Sequence, residues 1–373
     1  MGTPGAAAAA VVVALALPIA ACSTKPPAQA TIRLGGDTMG TRWNATIVAP
    51  GGAGASRALR IADGPGGREQ AGRAPSLEAE LRSLIEEALD LVDDRMSTWK
   101  ADSELSRFNR HASTEPFPLS PETLTVLRLA REVSLATAGA FDVTVGPLVD
   151  AWGFGPGPDP AAVPSAETIA ALREQVGFEQ LALDEAAGVA VKALPGLEVD
   201  LSAIAPGYAA DLIAERLRAA GFARHLIEVG GELRVAGRNP DGTLWRIAIE
   251  RPQAERRETQ RVLELTDVAV ATSGDYRDFY ELDGVRYSHT IDPATGSPVR
   301  HSLVSATVLH ESCALADAWA TAMMVLGPEE GLRVAEANDL PVLLMVYQED
   351  GLLELESAAL ARRLGGERTA AER

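Results

Sequence analysis

The sequence predicts an α+β fold in which antiparallel sheets are flanked by helices. Apolar residues at helical spacing mark several stretches of the first half of the chain. From Leu226 onward, short β-type runs separated by Gly, Asp and Asn turns take over. Helices and strands that cluster in this way, without a regular alternation of strand and helix, are typical of α+β proteins rather than of βαβ repeats.

The first half supplies one strand and three helices. Alternating residues predict a strand over 42–48, and Ser76 can cap a helix with apolar residues at helical spacing as far as residue 92. A second helix is predicted over 120–139, with proline in its first turn and glycine at its end. A third is predicted over 206–221.

The second half is predicted to be mainly antiparallel. Five runs are predicted to form one meander, at 226–229, 233–236, 244–250, 262–265 and 268–272. A strand at 303–309, a helix from 313 to about 326 and a strand at 342–347 complete the pattern.

The amino-acid composition limits the classes of protein to which the chain can belong. The chain has 373 residues, of which 46% are hydrophobic and 23% charged, so a folded body of one large domain or two interlocked domains is expected. The 52 acidic residues exceed the 34 basic ones and give a formal net charge of −18. This charge opposes binding to a nucleic-acid backbone, and no nucleic-acid partner is expected.

The N-terminus is typical of an export signal. An Ala/Val/Leu run ends in L-P-I-A-A before Cys22, which resembles a bacterial lipoprotein signal with Cys22 as the lipidated residue, although residues 1–5 lack Lys and Arg. A plain secretory signal with an incidental cysteine is the alternative. We predict a signal peptide at 1–21, a tether at 22–30 and a folded domain at 31–365 with a loose insertion at about 50–75 and a polar tail at 366–373.

The familiar nucleotide and metal signatures are absent from the sequence. It contains no Walker A motif, no G-x-G-x-x-G, no H-E-x-x-H and no C-x-x-C. The two cysteines are Cys22 and Cys313, and no internal disulfide is expected because lipidation claims Cys22. Cys313 is predicted to be a buried helix residue.

Polar motifs outside these signatures concentrate in a few segments. D-T-M-G-T (37–41) precedes a strand, and S-T-W-x-x-x-S-E-L-S-R-F-N (97–109) follows the first helix. Trp99 could stack on a flat ring, or it could be a tryptophan at the edge of the core. F-D-V-T-V-G-P-L (141–148) and D-L-x-x-I-x-x-G-Y-A (200–209) each join an acidic residue to a turn. Asp200 precedes a helix N-terminus suited to anions, or it only caps the turn.

The last two motifs are S-H-T-I-D-P-x-T-G (288–296) and A-D-A-x-A-T-A (316–322). Asp317 and Thr321 are four residues apart, so on a helix they share one face. A carboxylate and a hydroxyl are hard oxygen ligands that suit Mg²⁺. Taken alone, such a pair is more often a solvated helix face.

These six motifs, in this order, resemble the ApbE family of FAD:protein FMN transferases. The resemblance covers residues 39–321 and implies an ApbE/T-fold-like architecture with FAD as substrate and Mg²⁺ as cofactor. It implies that the FAD pocket is lined by Met39, Trp99, Ala140, Phe141, Asp142, Asp200, His289 and Ile291. It also implies a metal site formed by the Ala203 carbonyl, Asp317, Thr321 and the Ala320 backbone. The chain departs from the family at Pro206, where a polar or charged residue, often lysine, is common; Pro206 would lie at the FAD contact.

The family reaction transfers FMN from FAD to a threonine hydroxyl of an acceptor protein and releases AMP. Asp317 would act in catalysis through the metal, and His289 is the candidate base because imidazole titrates near neutral pH. Alternatively, His289 only braces the turn at 292–293 or contacts FAD, since a loose transition state needs limited base assistance.

Two other functions fit the same residues. An FAD pyrophosphatase would hydrolyse FAD to FMN and AMP, and a non-catalytic lipoprotein would only bind FAD. By the resemblance, the acceptors are flavin-bearing subunits of membrane redox complexes. The expected location is a lipid-anchored protein on a bacterial membrane, with the inner membrane facing the periplasm favoured.

Overall fold

A computed structural model describes residues 30–50, 75–155, 162–253, 258–276, 279–282 and 284–371. The predicted signal peptide, Cys22, most of the predicted tether and nearly all of the predicted insertion lie outside the described residues. The body opens with a strand at Thr31, where the folded domain is predicted to start.

The helices are α1 (Leu77–Met96), α2 (Glu104–Arg110), α3 (Pro121–Ala136), α4 (Gly146–Ala151), α5 (Ala166–Arg173), α6 (Ala205–Ala219), α7 (Cys313–Ala337) and α8 (Ala358–Ala371). The strands are β1 (Thr31–Thr38), β2 (Thr41–Val48), β3 (Phe117–Pro118), β4 (Leu181–Asp184), β5 (Val189–Lys192), β6 (His225–Val229), β7 (Glu232–Ala236), β8 (Trp245–Glu250), β9 (Thr259–Leu265), β10 (Val268–Gly274), β11 (Phe279–Leu282), β12 (Val285–Ser288), β13 (Ile291–Asp292), β14 (Ser297–Pro298), β15 (Leu303–His310), β16 (Val342–Gln348) and β17 (Gly351–Glu356).

An eight-stranded sheet organises the fold. Its order is β1-β2-β6-β7-β10-β15-β16-β17, and every neighbouring pair is antiparallel. Helices pack against this sheet, which confirms the predicted α+β class. The smaller sheets are β3-β5-β4 and the pairs β8-β9, β11-β12 and β13-β14.

The two faces of the main sheet are covered by different elements. Helices α1, α3, α6 and α7 lie over the first face, where Ile47 and Val308 point into a large core. The β8-β9 hairpin and α8 lie over the second, where the adjacent residues Val48 and Leu309 point into a smaller core. Consecutive strand residues point to opposite faces, so one run of apolar residues serves both cores. We call these the helix-covered face and the hairpin-covered face.

The predicted single meander is wrong. The runs predicted at 244–250 and 262–265 form β8 and β9, which pair with each other and not with the main sheet. Strand β7 pairs with β10 directly, with Val235 opposite Val268. Alternating apolar residues predict a half-buried strand equally well when it joins a sheet and when it packs on top of one, so periodicity could not separate the two arrangements.

The helix starts follow the predicted caps. Ser76 Oγ accepts a hydrogen bond from Ala79 N at 3.2 Å, and Ser120 precedes Pro121 at the start of α3. The helical course of α7 is interrupted at Gly327, whose φ of 77° is not helical, close to the predicted end at residue 326. The segment predicted to be a polar tail from residue 366 continues α8 as far as Ala371.

The environment of Cys313 and the hydropathy of the helices complete the description of the fold. Cys313 is a free, buried thiol at the first position of α7, as predicted. Among the described residues, no helix is both long enough and apolar enough to cross a lipid bilayer.

Candidate active site

A cavity of about 820 Å³ opens where the β1-β2 turn, the loop after α1 and the N-terminal ends of α6 and α7 meet. The turn at residues 38–41 is tight, because Met39 and Gly40 both have positive φ values of 44° and 72°. Two such residues in sequence are typical of a type I′ hairpin turn. This turn places Met39 at the cavity wall.

The structure brings nearly all the predicted site residues to this cavity. Those that line it are Met39, Trp99, Ala140, Phe141, Asp142, Asp200, Ala203, Pro206, His289, Ile291, Asp317 and Thr321. Ala320 is absent from the lining and is fully buried in the core. It precedes Thr321 by one residue, which on a helix turns it about 100° away from the face that Asp317 and Thr321 share.

Asp317 and Thr321 are the polar residues that α7 contributes to the cavity wall. Asp317 Oδ2 accepts a hydrogen bond from Gly207 N at 3.2 Å, and Thr321 Oγ1 lies 3.2 Å from Ser273 Oγ on β10. Burial raises the pKa of the Asp317 carboxyl to about 7. A carboxylate whose charge is disfavoured in this way gains from a nearby cation.

Glu232 is a second carboxyl in the cavity, half-buried at the start of β7. Burial raises the pKa of Glu232 well above its ordinary value, and the charge of Asp317 raises it further. Its carboxyl lies against the preceding Gly230, since a Cβ on that glycine would be 3.0 Å from Glu232 Oε2. Gly230 and Gly231 have φ values of 70° and 118°, so the chain turns sharply before Glu232.

Asp142 and Asp200 are tied to backbone. Asp142 accepts hydrogen bonds from Thr144 N and Oγ1 through Oδ1, and from Phe178 N through Oδ2, at 2.6 to 2.9 Å. Asp200 Oδ1 accepts from Ser202 N at 2.8 Å, which is the turn cap predicted as its alternative role. Both residues also line the cavity, so the turn and the wall are built from the same side chains.

The loop after α1 presents Trp99 to solvent. Its side chain is 71% exposed at the cavity rim, which excludes a position at the edge of the core and leaves its ring free to stack on a flat ligand. Lys100 anchors the loop through ion pairs of 2.6 and 2.8 Å to Asp93 and Asp94.

Other polar residues of the 97–109 motif hold the fold together. Buried Glu104 accepts hydrogen bonds from Ser120 and Thr123 at the start of α3. The Asn109 side chain bonds both Val199 N and Val199 O, at 2.9 and 2.8 Å. Asn109 therefore fixes the segment that leads into Asp200.

His289 lies at the cavity wall beyond β12. Its ring makes an edge-to-face contact with the Phe154 ring, with centroids 6.3 Å apart. The turn that follows is closed by Asp292, which accepts hydrogen bonds from Ala294 N through Oδ1 and from Gly296 N through its carbonyl. Burial raises the pKa of the nearby Asp275 carboxyl, and the positive charge of Arg286 counteracts that rise.

A comparison with known protein families identifies the chain. The model of the ApbE family matches residues 39–344, which include all the strands and helices that line the cavity. The chain belongs to the ApbE family.

Relatives support the assignment over nearly the whole length. The chain is 45% identical over 349 residues to an FAD:protein FMN transferase of Vibrio cholerae, with 94% of this chain and 96% of the relative covered. It is 39% identical over 345 residues to an Escherichia coli K12 protein of the same name, with 90% and 92% covered.

Solved ApbE structures share the fold. The flavin transferase ApbE from Vibrio cholerae superposes with a TM-score of 0.77 at 44% identity, covering 89% of this chain and 99% of the other. The apo form of the flavinyl transferase ApbE from Pseudomonas stutzeri gives a TM-score of 0.77 at 37% identity, covering 90% and 97%.

Two parts of the ApbE cavity were missed by sequence reasoning. One is Glu232, signalled only by two glycines before a charged residue at a strand start. The other is the end of β10, where Thr272, Ser273 and Gly274 line the wall. Small and hydroxyl residues in succession at a strand end were the available signal, of which only Thr272 lay within the predicted strand at 268–272.

Proposed function

We propose that this chain transfers the FMN part of FAD to a threonine hydroxyl of an acceptor protein, with Mg²⁺ as cofactor and AMP as the leaving group. FAD:protein FMN transfer is the activity named for relatives up to 45% identical. A cavity of about 820 Å³ is also within the size range of cofactor sites.

The acidic lining of the cavity supports the proposal that a metal ion binds there. Four carboxyl groups line it, from Asp142, Asp200, Glu232 and Asp317, and its described lining contains no Lys or Arg. The pyrophosphate of FAD is anionic, so a cation would favour its entry into this acidic cavity. Position 206, where lysine is common in the family, is proline here and supplies no charge.

The donor set suits Mg²⁺. Asp317 and Thr321 offer a carboxylate and a hydroxyl from one helix face, and Ala203 reaches the same cavity from the segment before α6. Hard oxygen ligands of this kind are those that Mg²⁺ prefers. Among the described residues no group of three His, Cys, Asp or Glu side chains converges on one point, so a main-chain carbonyl and a hydroxyl would complete the ligand set. Bound there, the ion would neutralise charge on the pyrophosphate.

The protein's own residues would bind FAD and handle one proton. Trp99, Phe141 and Ile291 offer apolar surface for the flat rings. In the reaction, the threonine oxygen forms a bond to the FMN phosphorus, the bond from that phosphorus to the AMP oxygen breaks, and the hydroxyl proton leaves. His289 is the imidazole at the cavity wall that could accept it. The His289→Gln variant should lower kcat by about 10²-fold, at the low end for acid-base catalysis, and flatten its pH profile; an unchanged profile would leave His289 as an FAD contact.

The cellular location of the protein is proposed from its sequence. We propose that Cys22 is lipidated and tethers the domain to the inner membrane facing the periplasm, where flavin-bearing subunits of membrane redox complexes would be its acceptors. Labelling of cells with a fatty acid should mark the full-length protein and should not mark Cys22→Ala. Full-length protein that takes up no fatty acid would exclude the lipid anchor.

The test of function uses protein that begins after Cys22, with FAD, Mg²⁺ and a candidate acceptor domain. Intact-mass analysis should show acceptor gaining the mass of FMN, with equimolar AMP, and neither product should appear with EDTA. An acceptor with its threonine changed to alanine is the control. Release of AMP and free FMN would instead favour a pyrophosphatase, and FAD retained intact would favour a carrier.

A further inference from the structure

Helices α6 and α7 start beside each other at the cavity. A Cβ on Gly207, in the first turn of α6, would be 2.4 Å from the carbonyl oxygen of Cys313 at the start of α7. That distance is too short for any side chain, so glycine at 207 is what allows the two helix starts to approach this closely.

The N-terminus of α6 receives its cap from α7. Its N-cap residue is Ile204, which has no side-chain oxygen to accept a bond from the free N–H groups of the first turn. Gly207 N instead donates to Asp317 Oδ2, at 3.2 Å. In the part of the chain that the structure describes, this is the only hydrogen bond to the Asp317 carboxyl, so Oδ1 keeps its full capacity as a ligand.

The N-terminus of α7 receives a cap from α6 in return. Asp211, one turn after Gly207, accepts hydrogen bonds through Oδ2 from Ser312 Oγ at 2.8 Å, Cys313 N at 2.7 Å and Ala314 N at 3.1 Å. Its Oδ1 lies 3.4 Å from Nε of Arg234 on β7. The Asp211 side chain is thus held from two sides, and it fixes the start of the helix that carries Asp317.

We infer that Asp211 is a positioning residue for the active site, which acts by locking α6 and α7 into a reciprocal cap. Asp317 caps α6 with one oxygen and presents the other to the cavity only while the two helix starts stay in this register. Asp211 holds that register from outside the cavity, whose lining does not include it. The inference rests on the proposed function in that Asp317 is taken as the metal ligand.

The first readout needs neither metal nor substrate. Hydrogen exchange at the Gly207 amide should be at least about tenfold faster in Asp211→Ala than in the unsubstituted protein, because opening of the reciprocal cap frees this amide on the other helix. Asp211→Asn, which keeps one carbonyl acceptor, should give a smaller increase and carries the test if the alanine variant does not fold. Ser76→Ala, which removes the cap of α1 at its end far from Trp99, is the control and should leave Gly207 unchanged.

The second readout is the Mg²⁺ concentration for half-maximal binding, measured by calorimetry and again by FMN transfer. Loss of Asp211 should raise it about 10- to 100-fold, as expected for residues that orient a metal ligand. In an Asp317→Ala background, Asp211→Ala should weaken Mg²⁺ binding no further, because it acts through Asp317.

The outcomes separate the two proposals. Faster exchange confined to Cys313 and Ala314, with Gly207 and Mg²⁺ affinity unchanged, would reduce Asp211 to a local cap and overturn the inference. Additive losses in the double variant would also overturn it. Unsubstituted protein that transfers no FMN and binds no Mg²⁺ would sink the proposed function, while the exchange at Gly207 would still decide whether the reciprocal cap exists.

Discussion

The helix-covered and hairpin-covered faces of the main sheet are made by the same strands but bury different chemistry. The first carries Asp317, Thr321 and Glu232 around a cavity, at the starts of α7 and β7. The second is filled by residues such as Ile247, Leu263 and Met345, and none of the buried carboxyl groups of the described residues belongs to β8, β9 or α8. The difference indicates that one face is built for binding and the other for stability.

The largest effect expected from this difference between the two faces is the loss of FMN transfer when Asp317 is replaced. Asp317→Asn keeps size and a carbonyl that can still cap Gly207, but removes the charge proposed to hold Mg²⁺. FMN transfer should fall by about 10²- to 10³-fold, the scale of losing one main electrostatic contact. Thermal unfolding at pH 8 should show no loss of stability, because the buried charge is costly there. Transfer within threefold of the unsubstituted rate would break the assignment of the helix-covered face.

The reverse effect is expected across the sheet at Ile247. This side chain of β8 is buried in the hairpin-covered core. Ile247→Ala should lower the free energy of unfolding by about 2 to 5 kcal/mol through lost burial and a residual cavity. Transfer per folded molecule should stay within twofold, measured after correction for the folded fraction by denaturant titration. A large fall in kcat would show that the two faces are not independent.

The pH dependence of stability distinguishes two titrating groups on the helix-covered side, His225 and Asp317. Burial lowers the pKa of His225, on β6, to about 4. The unfolded chain therefore takes up the proton first, so stability is lost as pH falls from 6.5 towards 4, by about 3 kcal/mol in total. The raised pKa of Asp317 acts in the opposite sense, with stability lost as pH rises from about 4 to 7.

The His225→Gln variant tests this assignment by denaturant unfolding between pH 4 and 8 without metal. It should lose the decline on the acid side and keep the decline towards pH 7. The Asp317→Asn variant is the matched control: it should keep the decline on the acid side and show a smaller decline towards pH 7, where the raised pKa of Glu232 also contributes. If the acid decline persists without His225, its cause lies in other groups.

A smaller effect is expected at Pro206, where the family resemblance leads us to expect a polar or charged residue. The residue lies in the first turn of α6 and lines the cavity. Pro206→Lys would add a positive charge beside the proposed pyrophosphate site, worth about 1 kcal/mol for a partly exposed ion pair. The KM for FAD should fall about fivefold with kcat unchanged, measured by AMP release. Unaltered KM would place the pyrophosphate away from α6.

The smallest effect is expected at the attachment of the hairpin. Arg261 on β9 forms ion pairs with Glu354 and Glu356 on β17. These groups are partly exposed, so Arg261→Ala should cost less than about 1 kcal/mol of stability and leave transfer unchanged. The midpoint of urea unfolding measures it, with Arg333→Ala at the exposed pair to Glu330 as the control.

Local signals in the sequence predicted most of the elements and most of the cavity wall. Helix caps at Ser76 and Ser120 and the break near Gly327 are local features, and the structure has them at or within a residue or two of the predicted places. The Asp317/Thr321 pair was predicted because four-residue spacing fixes a shared helix face. Each depends only on residues close in sequence.

Features that depend on contacts distant in sequence were not predicted. The β8-β9 hairpin has the alternation of a sheet strand, and only the pairing of β7 with β10 shows that it leaves the sheet. Glu232 meets Asp317 across 85 positions of sequence, and Asp211 reaches the start of α7 across about a hundred. No local pattern encodes such meetings.

The central claim is that the cavity on the helix-covered face is the FAD site. Its most direct test compares the FAD affinity of two variants, one substituted on each face of the sheet. Ala140→Trp places an indole in the cavity, whereas Val262→Trp adds the same group at an exposed position on β9 of the hairpin-covered side. Calorimetry with Mg²⁺ should give one FAD per chain for the unsubstituted protein and for Val262→Trp, and at least about tenfold weaker binding for Ala140→Trp. Equal affinity in all three proteins, each shown to be folded, would contradict the assignment of the cavity as the FAD site.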